Sequence, residues 1–181
     1  IQDYLSTMGI QRWVKRDDQP WSVLQKQVSE CKLCNLHQGR TQTVFGVGNQ
    51  AADLFIVGEA PGFYEDRQGE PFVGRAGQLL NKMLATIGLS REQIYIANLL
   101  KCRPPNNRDP KAEEVATCTP YLEQQVTLLQ PKIILAVGRF AAHYLLETKA
   151  SLAKLRKQVH RFRQTDIPLI VSYHPAYLLR N

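Results

Sequence analysis

A chain of 181 residues, 44% of them hydrophobic, is long enough to bury one good core and too short for two comfortable ones. Lys and Arg number 23 against 16 Asp and Glu, a formal charge of +7 and a pI near 9.4, which points to a polyanionic partner, nucleic acid before acidic membrane surface. There is no internal repeat, no low-complexity tract, no apolar run of membrane length and no signal peptide, so the expectation is a single soluble cytoplasmic domain over 1–181, monomeric and without a membrane partner. The start at Ile1 and the end just after a leucine-rich segment are expected to mark a trimmed fragment, with 1–23 as an N-terminal extension.

In chain order, Trp21, Leu24 and Val28 recur at helical spacing and predict a helix before Cys31. The apolar run at 53–57 predicts a buried strand that enters the turn Gly58-Glu59-Ala60-Pro61-Gly62. From 74 to 87, Leu79, Leu80, Met83, Leu84 and Ile87 form one helical stripe, which Gly88 ends. A second strand is read at 94–97. Asp109 with Pro110, and again Thr119 with Pro120, carry helix-start signals, so two helices are expected before the third strand at 133–137. A helix at 138–146, a basic stretch at 154–163 with five positive charges and a fourth strand at 167–172 complete the chain. This strand–helix alternation predicts an α/β fold with a mostly parallel four-stranded sheet covered on both faces.

Ligands of such sheets bind beyond the carboxyl ends of the strands. There the first strand delivers Glu59, the second Asn98, and the fourth His174. A carboxylate can orient water, an imidazole can stabilise a leaving group, and an amide can read a planar ligand through donor and acceptor together. The Gly58–Gly62 loop could form an anion nest, yet no Gly-Lys-Ser/Thr, Gly-x-Gly-x-x-Gly or Gly-x-Ser-x-Gly motif is present. What remains is a water-using reaction. An Asn can pair with a base edge such as uracil's O4 and N3–H, and Phe72 is either a stacking partner or a core aromatic.

The chain's four cysteines, Cys31, Cys34, Cys102 and Cys118, comprise one Cys-x2-Cys pair and two singles flanking a Pro- and Asn-rich loop. Four thiolates suit tetrahedral zinc or an iron–sulfur cluster, and zinc sites usually repeat the tight pair, so the spacing leans to a [4Fe–4S] cluster. Two disulfides or four unrelated thiols remain the alternatives.

Long ordered segments also carry a resemblance: Gly58-Glu59-Ala60-Pro61-Gly62, Glu65-Asp66-Arg67-Gln68-Gly69, Pro71-Phe72-Val73-Gly74-Arg75-Ala76-Gly77, Asn98-Leu99-Leu100-Lys101-Cys102-Arg103-Pro104-Pro105 and His174-Pro175-Ala176-Tyr177-Leu178-Leu179-Arg180. From about residue 24 onward the chain resembles the family 4 uracil-DNA glycosylases. The resemblance implies a three-layer α/β/α sandwich, a [4Fe–4S] cluster on all four cysteines, and hydrolysis of the N-glycosidic bond of deoxyuridine in single- or double-stranded DNA. It also implies the roles. Glu59 and its loop, Gly58, Ala60, Pro61 and Gly62, would hold the water, with Glu65 a rival; Phe72 would stack on uracil, Asn98 would read its edge, and His174 would donate towards O2. Arg75 and Arg180 would meet DNA and Leu178 would wedge into the vacated stack. The family continues with a further helix beyond Arg180.

Phe63 and Tyr64 depart from the family's pattern, where acidic or small residues are common. Lys157 stands where a glycine often follows the arginine. No basic, His-containing insertion separates Lys101 from the Pro-Pro-Asn-Asn loop, so ordinary turnover rather than covalent trapping of uracil is expected. Two alternatives stand beside the glycosylase: a catalytically weak iron–sulfur DNA-binding module serving a replication or repair partner, and a zinc-bound nucleotide hydrolase.

Overall fold

The computed structural model describes residues 19–180. Its elements are α1 (Gln19–Glu30), β1 (Val47–Gly48), β2 (Leu54–Gly58), α2 (Phe63–Gln68), α3 (Arg75–Thr86), β3 (Tyr95–Asn98), α4 (Ala112–Leu129), β4 (Ile133–Val137), α5 (Arg139–Leu145), α6 (Leu152–Leu155), β5 (His160–Arg161), β6 (Pro168–Ser172) and α7 (Pro175–Leu178). The expected N-terminal extension falls largely on residues outside those described.

The strands form one sheet in the order β1-β3-β2-β4-β6-β5. The inner four, β3, β2, β4 and β6, are parallel and are the four strands read from the sequence. The sheet has six strands rather than four, because β1 and β5 add antiparallel edges. Each edge strand is two residues long, too short to leave a periodic pattern.

Side chains alternate across the sheet, and that alternation builds the layers. Phe55 and Val57 of β2, Tyr95 and Ala97 of β3, and Ile134 and Ala136 of β4 face one core, with Trp21, Leu24 and Val28 of α1, Leu122, Val126 and Leu129 of α4, and Ala141, Ala142 and Leu145 of α5. Ile56, Ile96 and Val137 face the other, under Leu80 and Leu84 of α3. The result is the expected α/β/α sandwich.

The two helices expected around Pro120 are one helix, α4. Proline removes a backbone donor and crowds the preceding turn, at a cost of about 3 kcal/mol in a helix interior. Here the stripe Cys118, Thr119, Leu122, Gln125, Val126 and Leu129 is buried along both sides of the break, and that burial outweighs the local cost. The helix also starts later than read. Lys111 caps it, and Glu114 accepts from the Lys111 N–H at 2.9 Å and from the Arg108 guanidinium. Among the described residues no helix is long and apolar enough to cross a membrane. The basic stretch at 154–163 is partly neutralised: Arg161 pairs with Asp166, and Arg163 with Glu123 and Glu147.

Candidate active site

The chain runs from β2 to β3 on one side of β2 and then to β4 on its other side, so the topology reverses at β2. A cleft of about 390 Å³ opens beyond the carboxyl ends of the strands at this point. Glu59, Ala60, Pro61 and Gly62 line it after β2, Asn98 after β3, and His174 and Arg180 around α7. Glu65 and Phe72 complete the wall.

Gly58 and Asn98 are register partners on β2 and β3. A Cβ at Gly58 would stand 2.3 Å from Asn98 Oδ1 and 2.7 Å from the Phe72 ring, so only glycine leaves the amide and the aromatic in place. Asn98 is 2% exposed, and its Oδ1 is buried with no hydrogen-bond partner in the protein. Such an orphaned acceptor costs about 1–3 kcal/mol unless a ligand donor meets it.

His174 caps α7. The Ala176 N–H donates to His174 Nδ1 at 3.1 Å, which leaves the proton of the neutral ring on Nε2. Burial, reinforced by Arg180 and opposed by Glu65, lowers its pKa to about 4. The imidazole is therefore a neutral N–H donor near pH 7. Gly138, at φ +96°, gives it room: a Cβ there would lie 3.1 Å from the His174 Cβ. Its ring stacks on Phe72 at 5.5 Å and 28°. Phe72 is thus a core aromatic, as one reading of the sequence had it, and also part of the cleft wall.

Phe72 also sits at φ +55°, a left-handed conformation that costs a non-glycine residue about 1 kcal/mol or more. Two side chains brace it. Glu65 Oε1 accepts from the N–H groups of Val73 and Gly74 at 2.9 and 3.0 Å. Arg91 donates to the carbonyls of Pro71 and Phe72 at 2.6 and 3.1 Å. Glu65 is thereby committed to the loop. Glu59 is not: burial first and Asp109 second, opposed by Arg139, raise its pKa to about 7.

The sequence reading missed Asn107, Arg108 and Asp109, which form the far rim of the cleft. Their signal was the Pro-Asn loop, where Asn106 and Asn107 hold left-handed backbone that asparagine tolerates better than most residues. Asp109, read as a helix cap, instead pairs with Arg139 at 3.3 Å beside Glu59. Of the residues assigned to DNA, Arg180 reaches the cleft, whereas Arg75 is exposed at the start of α3 and Leu178 is 40% exposed on α7, both outside the lining.

The four cysteines are free thiols lining one small cavity with Val28, Leu33 and Tyr121. The Lys101 N–H lies 3.2 Å from Cys118 Sγ and Arg40 lies 3.1 Å from Cys102 Sγ. Burial pushes the Cys118 thiol up to about 12 and raises that of Cys102. Among the described residues, no three His, Cys, Asp or Glu side chains gather closely enough to hold a single ion.

The profile of the uracil DNA glycosylase superfamily matches residues 45–181. A type-4 uracil-DNA glycosylase of Archaeoglobus fulgidus is 45% identical over 160 residues, covering 85% of this chain and 80% of its own length. Those of Sulfurisphaera tokodaii and Thermotoga maritima are 44% and 42% identical, covering 87% and 88% of this chain and 75% and 83% of their own. The chain belongs to the type-4 uracil-DNA glycosylases. A type-5 uracil-DNA glycosylase of Pyrobaculum aerophilum is more distant, at 30% identity over 72% of this chain. The superfamily match begins downstream of Cys31 and Cys34. For a member of this family, those two thiols are the part of the cysteine set that the shared superfamily region does not contain.

Proposed function

We propose that this protein hydrolyses the bond between uracil and deoxyribose in DNA, releasing free uracil and leaving an abasic site, as a base-excision repair enzyme acting on intracellular DNA. The observation that carries the reading is the orphaned Asn98 Oδ1, buried beside Phe72 at the end of β3, which matches the N3–H of a flipped uracil. The Asn98 amide N–H then meets O4. Water adds to C1′ as the C1′–N1 bond breaks, and the bonding pair leaves with the base as its anion. His174 Nε2–H donates to the developing charge on O2, which a neutral donor in a dry site does well. Glu59 as carboxylate orients the water and takes its proton, with Ala60, Pro61 and Gly62 shaping the water site and Glu65 fixing Phe72. Uracil must leave the base stack, at a few kcal/mol. Arg75 and Arg180 on phosphate, and Leu178 in the vacated stack, offset part of that.

The four cysteines are proposed ligands of a [4Fe–4S] cluster. What supports the reading is that all four cysteines line one cavity, that hydrogen-bond donors face two of their sulfurs, and that four thiolates match the four corners of a cluster. When bound, the cluster would serve as a frame that ties α1, the loop after β3 and α4 together. Iron and acid-labile sulfide in a brown protein test this; a colourless protein carrying zinc would refute it.

Uracil release from a deoxyuridine oligonucleotide tests the activity. Wild type is expected to free uracil and leave an alkali-labile site. Full activity in both Asn98→Ala and His174→Ala would overturn the assignment of the site.

A further inference from the structure

Beside the cleft lies a feature the reaction does not use. Phe63 and Tyr64 open α2 immediately after Gly62 and are 43% and 58% exposed, though large aromatics normally turn inward. Their rings meet edge to face at 5.4 Å. Two guanidinium groups lie over the Phe63 ring, Arg67 at 5.4 Å from the same helix and Arg103 at 5.1 Å from the loop after β3. Arg103 Nε is fixed further by Asn107 Oδ1 at 2.7 Å, and Asn107 belongs to the cleft rim. Among the described residues neither Arg67 nor Arg103 is paired with a carboxylate.

An aromatic pair with two unneutralised, preorganised cations is what an extended nucleic-acid strand needs: a π-face for a base and donors for phosphate. Resting on the DNA-directed reading of the cleft, we infer that Phe63, Tyr64, Arg67 and Arg103 form a shelf that holds the strand flanking the flipped nucleotide, with a neighbouring base on Tyr64 and phosphates on the two arginines. The shelf is continuous with the cleft through Gly62 and Asn107, and its positive charge complements a polyanion.

The shelf explains how one strand can be gripped without its complement. Duplex DNA hides its base faces, whereas a single strand offers every base to a stacking partner. The flanking strand is therefore bound most fully when unpaired or locally opened.

The test uses single-stranded DNA carrying 2′-fluorodeoxyuridine, which resists hydrolysis, with dissociation constants measured across a salt series. Arg67→Ala with Arg103→Ala should flatten the plot of log affinity against log salt by about 1.4, at ~0.7 per lost phosphate contact. Replacing one base beside the target by an abasic spacer should weaken wild-type binding about tenfold, and Tyr64→Leu should bind about tenfold more weakly yet ignore that spacer. Phe63→Tyr, which keeps the ring, should bind as wild type. An unchanged salt slope together with a Tyr64→Leu variant that still responds fully to the spacer would overturn the shelf. Release of uracil by wild type is assayed in parallel on the deoxyuridine strand. Binding with these dependences but no release would leave the shelf standing and remove the glycosylase assignment; release with unaltered binding by the shelf variants would remove the shelf alone.

Discussion

Asn98 and Lys101 lie three residues apart, 2% and 1% exposed, and the fold treats them in opposite ways. Lys101 Nζ donates to the Asn98 carbonyl at 2.9 Å and to Gln125 Oε1 at 2.6 Å, and Gln125 passes its own amide on to the Phe45 carbonyl. Asn98 Oδ1 has no such partner. A buried polar group that is fully satisfied holds the structure, whereas one left unsatisfied is held ready for something outside it. The first network fixes the backbone of the residue whose side chain the second leaves open.

The largest expected effect strikes the open side. Asn98→Ala and His174→Ala each remove a donor proposed to meet the base, and each should lower the rate of uracil release by about 10²–10³, measured under single turnover. The Tm should hardly move for Asn98→Ala, which leaves no new orphan behind, whereas His174→Ala also removes the cap that accepts from the Ala176 N–H and should lower it by the few degrees a lost helix cap costs. Lys101→Met strikes the satisfied side. It strands the Asn98 carbonyl and Gln125 Oε1, at about 1–3 kcal/mol for each unpaired group, so the urea midpoint should fall sharply.

A smaller effect separates the two sides by pH. Glu59, with its pKa raised to about 7 chiefly by burial, is proposed to act as carboxylate, so release should rise with pH through about 7 and level off above it. His174, lowered to about 4, stays neutral across that range and adds no second limb there. The stability of the protein should run the other way. A carboxyl whose pKa is higher in the folded state than in the unfolded one favours folding while protonated, and that contribution is lost as pH rises from the unfolded value through about 7. Glu59→Gln should therefore abolish most activity while stabilising the protein at pH 8 by about 1–2 kcal/mol, after discounting for partial exposure, and by little at pH 5. Equal urea midpoints for both proteins at the two pH values would contradict it.

The sequence exposed the inner strands because each is an apolar run, and the site because Glu59, Asn98 and His174 each end such a run. It did not reveal β1 and β5, whose pairing is a property of their neighbours rather than of two residues. Pro120 misled because local propensity was overridden by the buried stripe of α4. Asp109 gave the same signal whether it capped a helix or stood beside Glu59. Glu65 could be separated from Glu59 only by geometry: one carboxylate is bound to two backbone N–H groups, the other is left to the cleft. The tautomer of His174 likewise required the Ala176 contact.

The most direct test sets the two buried side chains against each other. Single-turnover release of uracil from a deoxyuridine oligonucleotide and the urea midpoint are measured for wild type, Asn98→Ala and Lys101→Met. The expected result is an Asn98→Ala protein that is as stable as wild type and nearly inactive, beside a Lys101→Met protein that is markedly less stable. An Asn98→Ala protein that releases uracil at the wild-type rate would contradict the account.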